Sequence, residues 1–329
     1  MKWTKILSII LLIPFLFLGG CWDLKTIERV YYIDVMGFDY RDGEYHLYSK
    51  ITDFSLLSKS ETAAPSAIAM NWIGHGKGKT LHEAFFQLYS ASEQILSYAQ
   101  LHGMIFTERA LEKGVINEVI DIFGRFHQAR PTQWVFATSE PIEKVLIIPP
   151  ELFIPKRSQT PLNAYNQNSS IRPVHMHEVL SRLYEAGTTL LIPRIKIAKL
   201  WTDEKKPVET IQLSGVYSMH KQKKISSYSE QQLAGLRWIT PQTNRALLIL
   251  KEGKQVVASI IFVDPKVKIE SSIQNGKPYF DIDVSVTGQI YMIRKPLQVS
   301  RIYQLSEKAI EEEIRSTFLE GVTRKDDLY

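Results

Sequence analysis

Val30-Tyr-Tyr-Ile-Asp-Val-Met-Gly-Phe38 and Tyr45-His-Leu-Tyr-Ser-Lys-Ile-Thr-Asp-Phe54 flank the stretch Asp39-Tyr-Arg-Asp42-Gly43. Both runs are rich in β-branched and aromatic residues, and the Asp-Gly pair between them is a hairpin signal. A β-hairpin therefore opens the folded part of the chain. Downstream, Ser58 to Ser66 is small and polar and reads as a loop, and Ile68 to Ile73 reads as a strand ending in Gly74-His-Gly-Lys-Gly78. Thr80, with Glu83 three residues on, has the spacing of a capping box. The apolar stripe Leu81, Phe85, Leu88, Ala91 and Ile95 predicts a helix from Leu81 to about Ser97. Gly103 to Thr107 reads as a strand, Glu108 to Phe126 as a helix, Gln133 to Thr138 as a strand and Ile142 to Ile148 as a short helix. A proline-punctuated connector runs from Pro149 to Pro161, followed by a helix over Val174 to Glu185 and a strand over Leu190 to Leu200.

Asp203-Glu-Lys-Lys-Pro207 is charged and turn-like, and the main domain boundary is expected there. Beyond it come a strand over Thr210 to Met219, a Lys-rich turn at Lys221 to Lys224 and a helix from Ser229 to about Trp238. Four β-rich segments follow at Arg245–Leu250, Gln255–Val263, Val267–Ile273 and Tyr279–Met292, then a helix from Leu305 to about Glu320. Helices mixed with short strands, without regular βαβ repetition, predict α+β domains with mixed or antiparallel sheets and flanking helices. The expected division is a signal segment at 1–20, an N-terminal α+β region at 21–205 with room for two subdomains, and a C-terminal α+β domain at 206–329.

The N-terminus carries its own message. Lys2 and Lys5 precede an apolar stretch from Ile6 to Leu18, and Leu18-Gly19-Gly20-Cys21 follows. The stretch is short of the roughly 20 residues a spanning helix needs, and it suits a cleaved signal peptide. Leucine, two glycines and cysteine in that order form a lipobox, in which the Cys21 thiolate receives a diacylglyceryl group. Two acyl chains hold a globular ectodomain stably at a membrane, where one does so marginally. The competing reading is a short membrane-anchoring helix with an incidental cysteine. Cys21 is the only cysteine of the 329 residues, so disulfides are excluded and the core alone must hold the fold.

Composition is that of a globular protein, with 44% hydrophobic and 23% charged residues. The formal net charge of +5 falls to +3 once Lys2 and Lys5 leave with the signal. That is too weak and too evenly spread to argue for nucleic acid, and suits a surface beside an anionic bilayer.

Catalytic constellations are missing from the pattern. Gly78-Lys79-Thr80 resembles the end of a P-loop, but that motif places a glycine where Ile73 stands, so the stretch reads as a turn with Thr80 as cap. His175 and His177, two apart on an expected helix, point away from each other and cannot share a metal. His75, His82, His102 and His127 are scattered, and neither a His-Glu-x-x-His pattern nor a Gly-x-Ser-x-Gly elbow occurs. Asp326-Asp327 sits at the tail and Asp39 and Asp42 belong to a turn. No enzyme activity, cofactor or metal is expected.

Several blocks together resemble the C-subunit lipoproteins of bacterial spore-germination nutrient receptors, the Ger(x)C family. They are Gly20-Cys21-Trp22-Asp23, Ile27-Glu28, Met36-Gly37-Phe38-Asp39, Gly76-Lys-Gly-Lys-Thr80-Leu81-His-Glu83-Ala84, and His102 through Glu108-Arg-Ala-Leu-Glu-Lys-Gly114. Leu213-Ser-Gly215-Val-Tyr, Lys221 to Ser226 and Gly235-Leu-Arg-Trp238-Ile continue the series in the second half. Family chains usually run some tens of residues further, closing with a longer helix and a tail. The resemblance implies a three-domain α+β protein on the outer face of the spore's inner membrane, without enzymatic activity. There it would work with integral membrane receptor subunits to trigger germination by nutrients. Cys21 would be the lipid anchor, with Trp22 and Asp23 helping to place the chain at the interface. The rival, a lipid-anchored solute-binding protein of an uptake system, predicts two α/β lobes with a hinge and repeated βαβ units.

Overall fold

A computed structural model describes residues 30–51, 72–125, 130–148, 165, 167–168, 170–185, 187–220 and 223–329. The opening hairpin is present: β1 (Val30–Arg41) pairs antiparallel with β2 (Glu44–Ile51) through Arg41↔Glu44 and Tyr40↔Tyr45. Asp42 and Gly43 turn at φ of 54° and 75°, the two left-handed positions that a type I′ hairpin requires.

The glycine-rich stretch departs from expectation. Residues 68–71 lie outside the described residues, and the strand is the glycine segment itself, β3 (Ile73–Gly78), antiparallel to β2. Helix α1 (Leu81–Ser90) lies directly on it, and the alternating glycines make that possible. A Cβ on Gly76 would sit 2.1 Å from the Ala84 carbonyl oxygen, and one on Gly78 would sit 2.4 Å from Glu83 Cβ. The helix ends at Ser90 rather than near Ser97, and Ile95-Leu-Ser97 becomes β4, parallel to the start of β1. Apolar spacing had assigned Ile95 to the helix, yet strand pairing takes it.

Among the described residues the large sheet has ten strands, in the order β10 (Lys223–Ser229), β9 (Lys206–His220), β8, β6, β5, β1, β2, β3, with β4 beside β1 and β7 beside β6. Its middle, formed by β1, β5 (Gly103–Thr107), β6 (Trp134–Thr138) and β8 (Leu190–Asp203), is parallel. Helices α2 (Glu108–Lys113) and α3 (Val115–Arg125) carry the chain from β5 to β6. From β6 it returns through α4 (Ile142–Ile147), β7 (Val174–His175) and α5 (Met176–Tyr184) to β8. These crossovers were not visible as βαβ repetition, because β5 and β6 are five-residue strands buried on both faces, which removes alternation. The single helix expected over Glu108 to Phe126 is broken at Gly114, whose φ of +84° ends α2.

One face of the sheet buries Met36, Phe38, Leu47, Met104, Phe106 and Ile192 beneath α1, α2, α3 and α5. The other face packs Val35, Tyr48, Ile105 and Phe136 against α4.

Asp203 pairs with Lys206 across Glu204 and Lys205, which turn at φ of 43° and 70°, so the charged segment is the tip of a hairpin between β8 and β9 (Lys206–His220). The 205/206 division thus falls inside one sheet, which β10 (Lys223–Ser229) completes. A second, three-stranded antiparallel sheet follows: β11 (Ala246–Glu252), β12 (Gln255–Gln274) and β13 (Lys277–Ile293). Two expected strands are one here, since β12 passes Asp264-Pro265 by a bulge rather than a break.

Residues 230–235 form turns, and only α6 (Leu236–Ile239) is helical where a helix from Ser229 was expected. A threonine from α7 (Val299–Arg324) explains why: Thr317 Oγ1 donates to Gln232 O and accepts from Gly235 N, both at 2.9 Å. Helix α7 is longer than the Leu305–Glu320 expected, and it packs with Trp238, Leu248, Ile260 and Phe262 into the second core. Among the described residues, one ten-stranded mixed sheet with a separate small sheet is an α+β architecture and does not form two βαβ lobes.

Candidate functional site

Cys21, Trp22 and Asp23 lie outside the described residues, as do Gly20, Ile27, Glu28, Lys221 and Gln222 of the other blocks. The first block among the described residues is Met36-Gly37-Phe38-Asp39. Gly37 faces α4 so closely that a Cβ would meet Ile142 Cγ2 at 2.2 Å. Asp39, 4% exposed, accepts from Thr107 Oγ1 at 2.6 Å, Arg109 at 2.8 Å and the Tyr40 N–H at 2.8 Å. Thr107 in turn caps α2 by accepting from Ala110 N. One carboxylate therefore fixes β1 to the start of the β5–β6 crossover.

The Glu108–Gly114 block serves the same junction. Glu108 accepts from the Tyr217 hydroxyl at 3.0 Å, and Lys113 lies over the Tyr40 ring at 5.0 Å. The Tyr217 hydroxyl is held at about 12, first by burial and then by that carboxylate. In the Gly76–Ala84 block, Thr80 Oγ1 accepts from Glu83 N at 3.2 Å, but Glu83 reaches back to Lys79 N at 2.7 Å. The capping box is thus displaced by one residue on its return arm. The turn's amides are taken by its own side chains, unlike those of a phosphate-binding loop.

Beneath α4 lies the densest group of titratable side chains. His46 and His75 share a hydrogen bond at 3.0 Å, and the Tyr48 ring stacks on His75 with centroids 4.4 Å apart. Arg41 donates to His46 Nε2 at 3.4 Å and to the Tyr48 hydroxyl at 3.3 Å. Burial lowers both histidines, and the Arg41 charge lowers them further. Both imidazoles are therefore neutral, one N–H facing one lone pair. Burial and the Glu143 carboxylate raise the Tyr48 hydroxyl. Burial pushes Glu143 upward, yet the Tyr48 hydroxyl, its own backbone N–H and Arg41 leave it below its ordinary value.

Asp34 and Lys50, both almost fully buried, complete this region. Asp34 meets His102 Nδ1 at 2.8 Å. Lys50 donates to the carbonyls of Leu146, at 2.6 Å, and Ile148, at 3.3 Å, and so caps the C-terminal end of α4 from inside the protein. Burial lowers its ammonium and the Asp34 charge opposes that.

His175 precedes α5 rather than lying on it, so its ring stacks with His177 at 5.4 Å instead of pointing away. Neither is free for a metal through Nδ1, since His175 binds Thr132 O at 2.8 Å and His177 binds Pro131 O at 3.3 Å. Among the described residues no group of three or more His, Cys, Asp or Glu could hold an ion.

The second-half blocks are joints too. At Gly215 a Cβ would collide with Tyr228 O at 2.0 Å, and at Gly235 with Glu313 O at 2.6 Å. Glu313 of α7 takes two bonds from Arg237 Nη2, both at 2.8 Å, and one from Trp238 Nε1 at 2.6 Å. After α7 the chain turns back, and Asp326 accepts from Ser218 Oγ and the Tyr228 hydroxyl, both at 2.6 Å, tying the final helix to the edge of the large sheet. Sequence reading missed Asp34, Asp39, Lys50 and Asp326 as a class. For Asp34, Asp39 and Lys50 the available signal was an acid or lysine inside an otherwise apolar strand run, whereas Asp326 stands in a charged tail that gave none.

A family model described as spore germination protein N-terminal domain matches residues 23–197, and one described as spore germination B3/GerAC like, C-terminal, matches residues 214–326. Spore germination protein KC of Bacillus subtilis (strain 168) is 22% identical over 341 residues, covering 94% of this chain and 80% of that protein. Spore germination protein B3 of the same organism is 24% identical over 324 residues, covering 91% and 79%. A crystal structure of the GerBC protein aligns at 15% identity with a TM-score of 0.49, over 86% of this chain and 80% of that one. With both halves matched in order, the chain belongs to the spore germination B3/GerAC-like family.

Proposed function

We propose that this chain is the C subunit of a nutrient germinant receptor, held at the outer face of the spore's inner membrane by a diacylglyceryl group on Cys21. It works by binding integral membrane partners rather than by chemistry. The observation that carries this reading is the tiling of two spore-germination family models over residues 23–197 and 214–326. The side chains of the blocks that carry the resemblance, where they lie among the described residues, support it, because they are spent on joining elements to one another. Nothing in them is arranged as a nucleophile with its base. No helix among the described residues is long and apolar enough to cross a membrane, so the reading needs the tether at Cys21, with Trp22 and Asp23 at the interface.

The test is germination of spores lacking the gene, followed by the fall in optical density across amino acids, sugars and nucleosides. Loss of the response to one germinant class, with the others intact, is the expected result. An unchanged response to every class, also after sister receptor genes are removed, would overturn the reading. Cys21→Ser tests the tether separately, since the protein should move from the detergent phase to the aqueous phase in a cloud-point partition.

A further inference from the structure

On the helix-covered face of the large sheet, between the end of α1 and the strands β1, β2 and β3, lies a cavity of about 510 Å³. That is within the range of small-molecule sites, about 300–1,000 Å³. Ile33, Ile51, Leu88 and Leu96 form apolar walls. Tyr31 and Trp72 meet edge to face at 6.0 Å on its rim, and Trp72 is 52% exposed.

Its floor is unusual. Ser49, paired across the sheet with Gly74, shares the helix-facing side of β2 with Leu47 and is 2% exposed. Its hydroxyl is buried without any hydrogen-bond partner. Buried hydroxyls in folded proteins are nearly always paired, so an orphan on a residue that lines a cavity points to a group that comes from outside. Gly74 keeps the space in front of α1 free of a side chain, as a Cβ there would press on Leu88 at 2.9 Å.

We infer that this cavity binds a compact aromatic or branched aliphatic molecule carrying one neutral hydrogen-bonding group, with that group on Ser49 and the apolar body between Leu88 and the Tyr31–Trp72 pair. The chemistry narrows the class. Glu93 stands in its lining, so a carboxylate would meet a like charge. Phenols and short branched alcohols fit. The site does not rest on the receptor reading, and it would hold if the chain served another process.

The experiment uses the purified full-length chain in detergent and two probes read by fluorine NMR, 4-fluorophenol and fluorobenzene. The expected result is that 4-fluorophenol binds the native protein more tightly than fluorobenzene. Ser49→Ala should weaken 4-fluorophenol by about five-fold, the worth of one neutral hydrogen bond, and leave fluorobenzene within two-fold. Ala91→Trp, which fills the cavity from the end of α1, should abolish both. No binding by the native protein at millimolar probe, equal affinity for the two probes, or retained binding in Ala91→Trp would overturn the assignment. Should Ser49→Ala fail to fold, the ranking of the probes on the native protein and the Ala91→Trp variant still decide it.

Discussion

Gly76→Ala adds one methyl group to β3, and the structure sets what that methyl must displace. Its carbon would lie 2.1 Å from the Ala84 carbonyl oxygen and 3.0 Å from Leu88 Cγ. Ordinary contact begins near 3.4 Å, so the α1 backbone must retreat by more than an ångström. A carbonyl in the middle of a helix cannot rotate away as a side-chain tip can. Retreat lifts Leu81, Ala84, Phe85 and Leu88 together, all of them buried in the first core. Overpacking of this kind costs about 1–3 kcal/mol, and the shared displacement places this case near 3. Two further glycines calibrate the measurement. Gly124 in α3 has nothing within 4 Å of a built Cβ, so Gly124→Ala should stabilise by about 0.5–1 kcal/mol through helix propensity. Gly43 is equally open, but its φ of +75° makes Gly43→Ala cost about 1 kcal/mol. Urea unfolding followed by circular dichroism ranks the three through their midpoints at constant slope. A Gly76→Ala midpoint within about 0.5 kcal/mol of the native protein would show that α1 does not rest on the strand as described.

Other expectations concern the polar joints and pH. Asp39→Asn weakens the charge-assisted bonds from Thr107 and Arg109 at a buried site and should cost about 1.5–3 kcal/mol in the same assay; a neutral result would mean the β1–α2 joint is made by packing alone. Glu313→Gln removes the charge shared by Arg237 and Trp238 Nε1, and should cost about 2 kcal/mol while leaving near-ultraviolet signals of the large sheet unchanged. His46 and His75 have lowered proton affinity in the folded state, so the unfolded chain takes up protons first as pH falls. Their contribution is complete above the unfolded value of about 6.5 and is lost as pH drops below it. The stability slope between pH 7 and 5 should flatten in the His46→Gln/His75→Gln pair, and an unaltered slope would remove these two rings from the account.

What the sequence made legible was local. The Asp42-Gly43 turn, the Thr80 cap and the strand at Gly103–Thr107 follow from residue chemistry within a few positions, and all three are present. What it hid depended on distant partners. Gly74-His-Gly-Lys-Gly78 looks like a loop until a helix is laid on its glycine side, which turns poor strand residues into the ones that fit. The turns at 230–235 exist because Thr317, more than eighty positions away, takes Gln232 O and Gly235 N. The break expected between Val263 and Val267 is absorbed by a bulge. At the candidate sites, Asp39 lay in a quoted block but looked like part of a turn, since nothing local showed Thr107 and Arg109 converging on it. Ser49 gave no signal at all, as an unpartnered hydroxyl is defined by what surrounds it.

The β8–β9 hairpin bears on how this family can exchange parts by recombination. A crossover between two relatives at residue 205/206 would join one parent's β8 to the other's β9, and both would have to agree on the register shifts at Arg194/Ile195 and Ala198/Trp201. Moving the crossover between Ser229 and Ala246 keeps all ten strands from one parent, but Ser218 and Tyr228 must then meet an acid at position 326 supplied by the other. Halves joined at either point must therefore match each other, and compatible mosaics should preserve the Ser218–Tyr228–Asp326 trio even where the rest of the sequence differs.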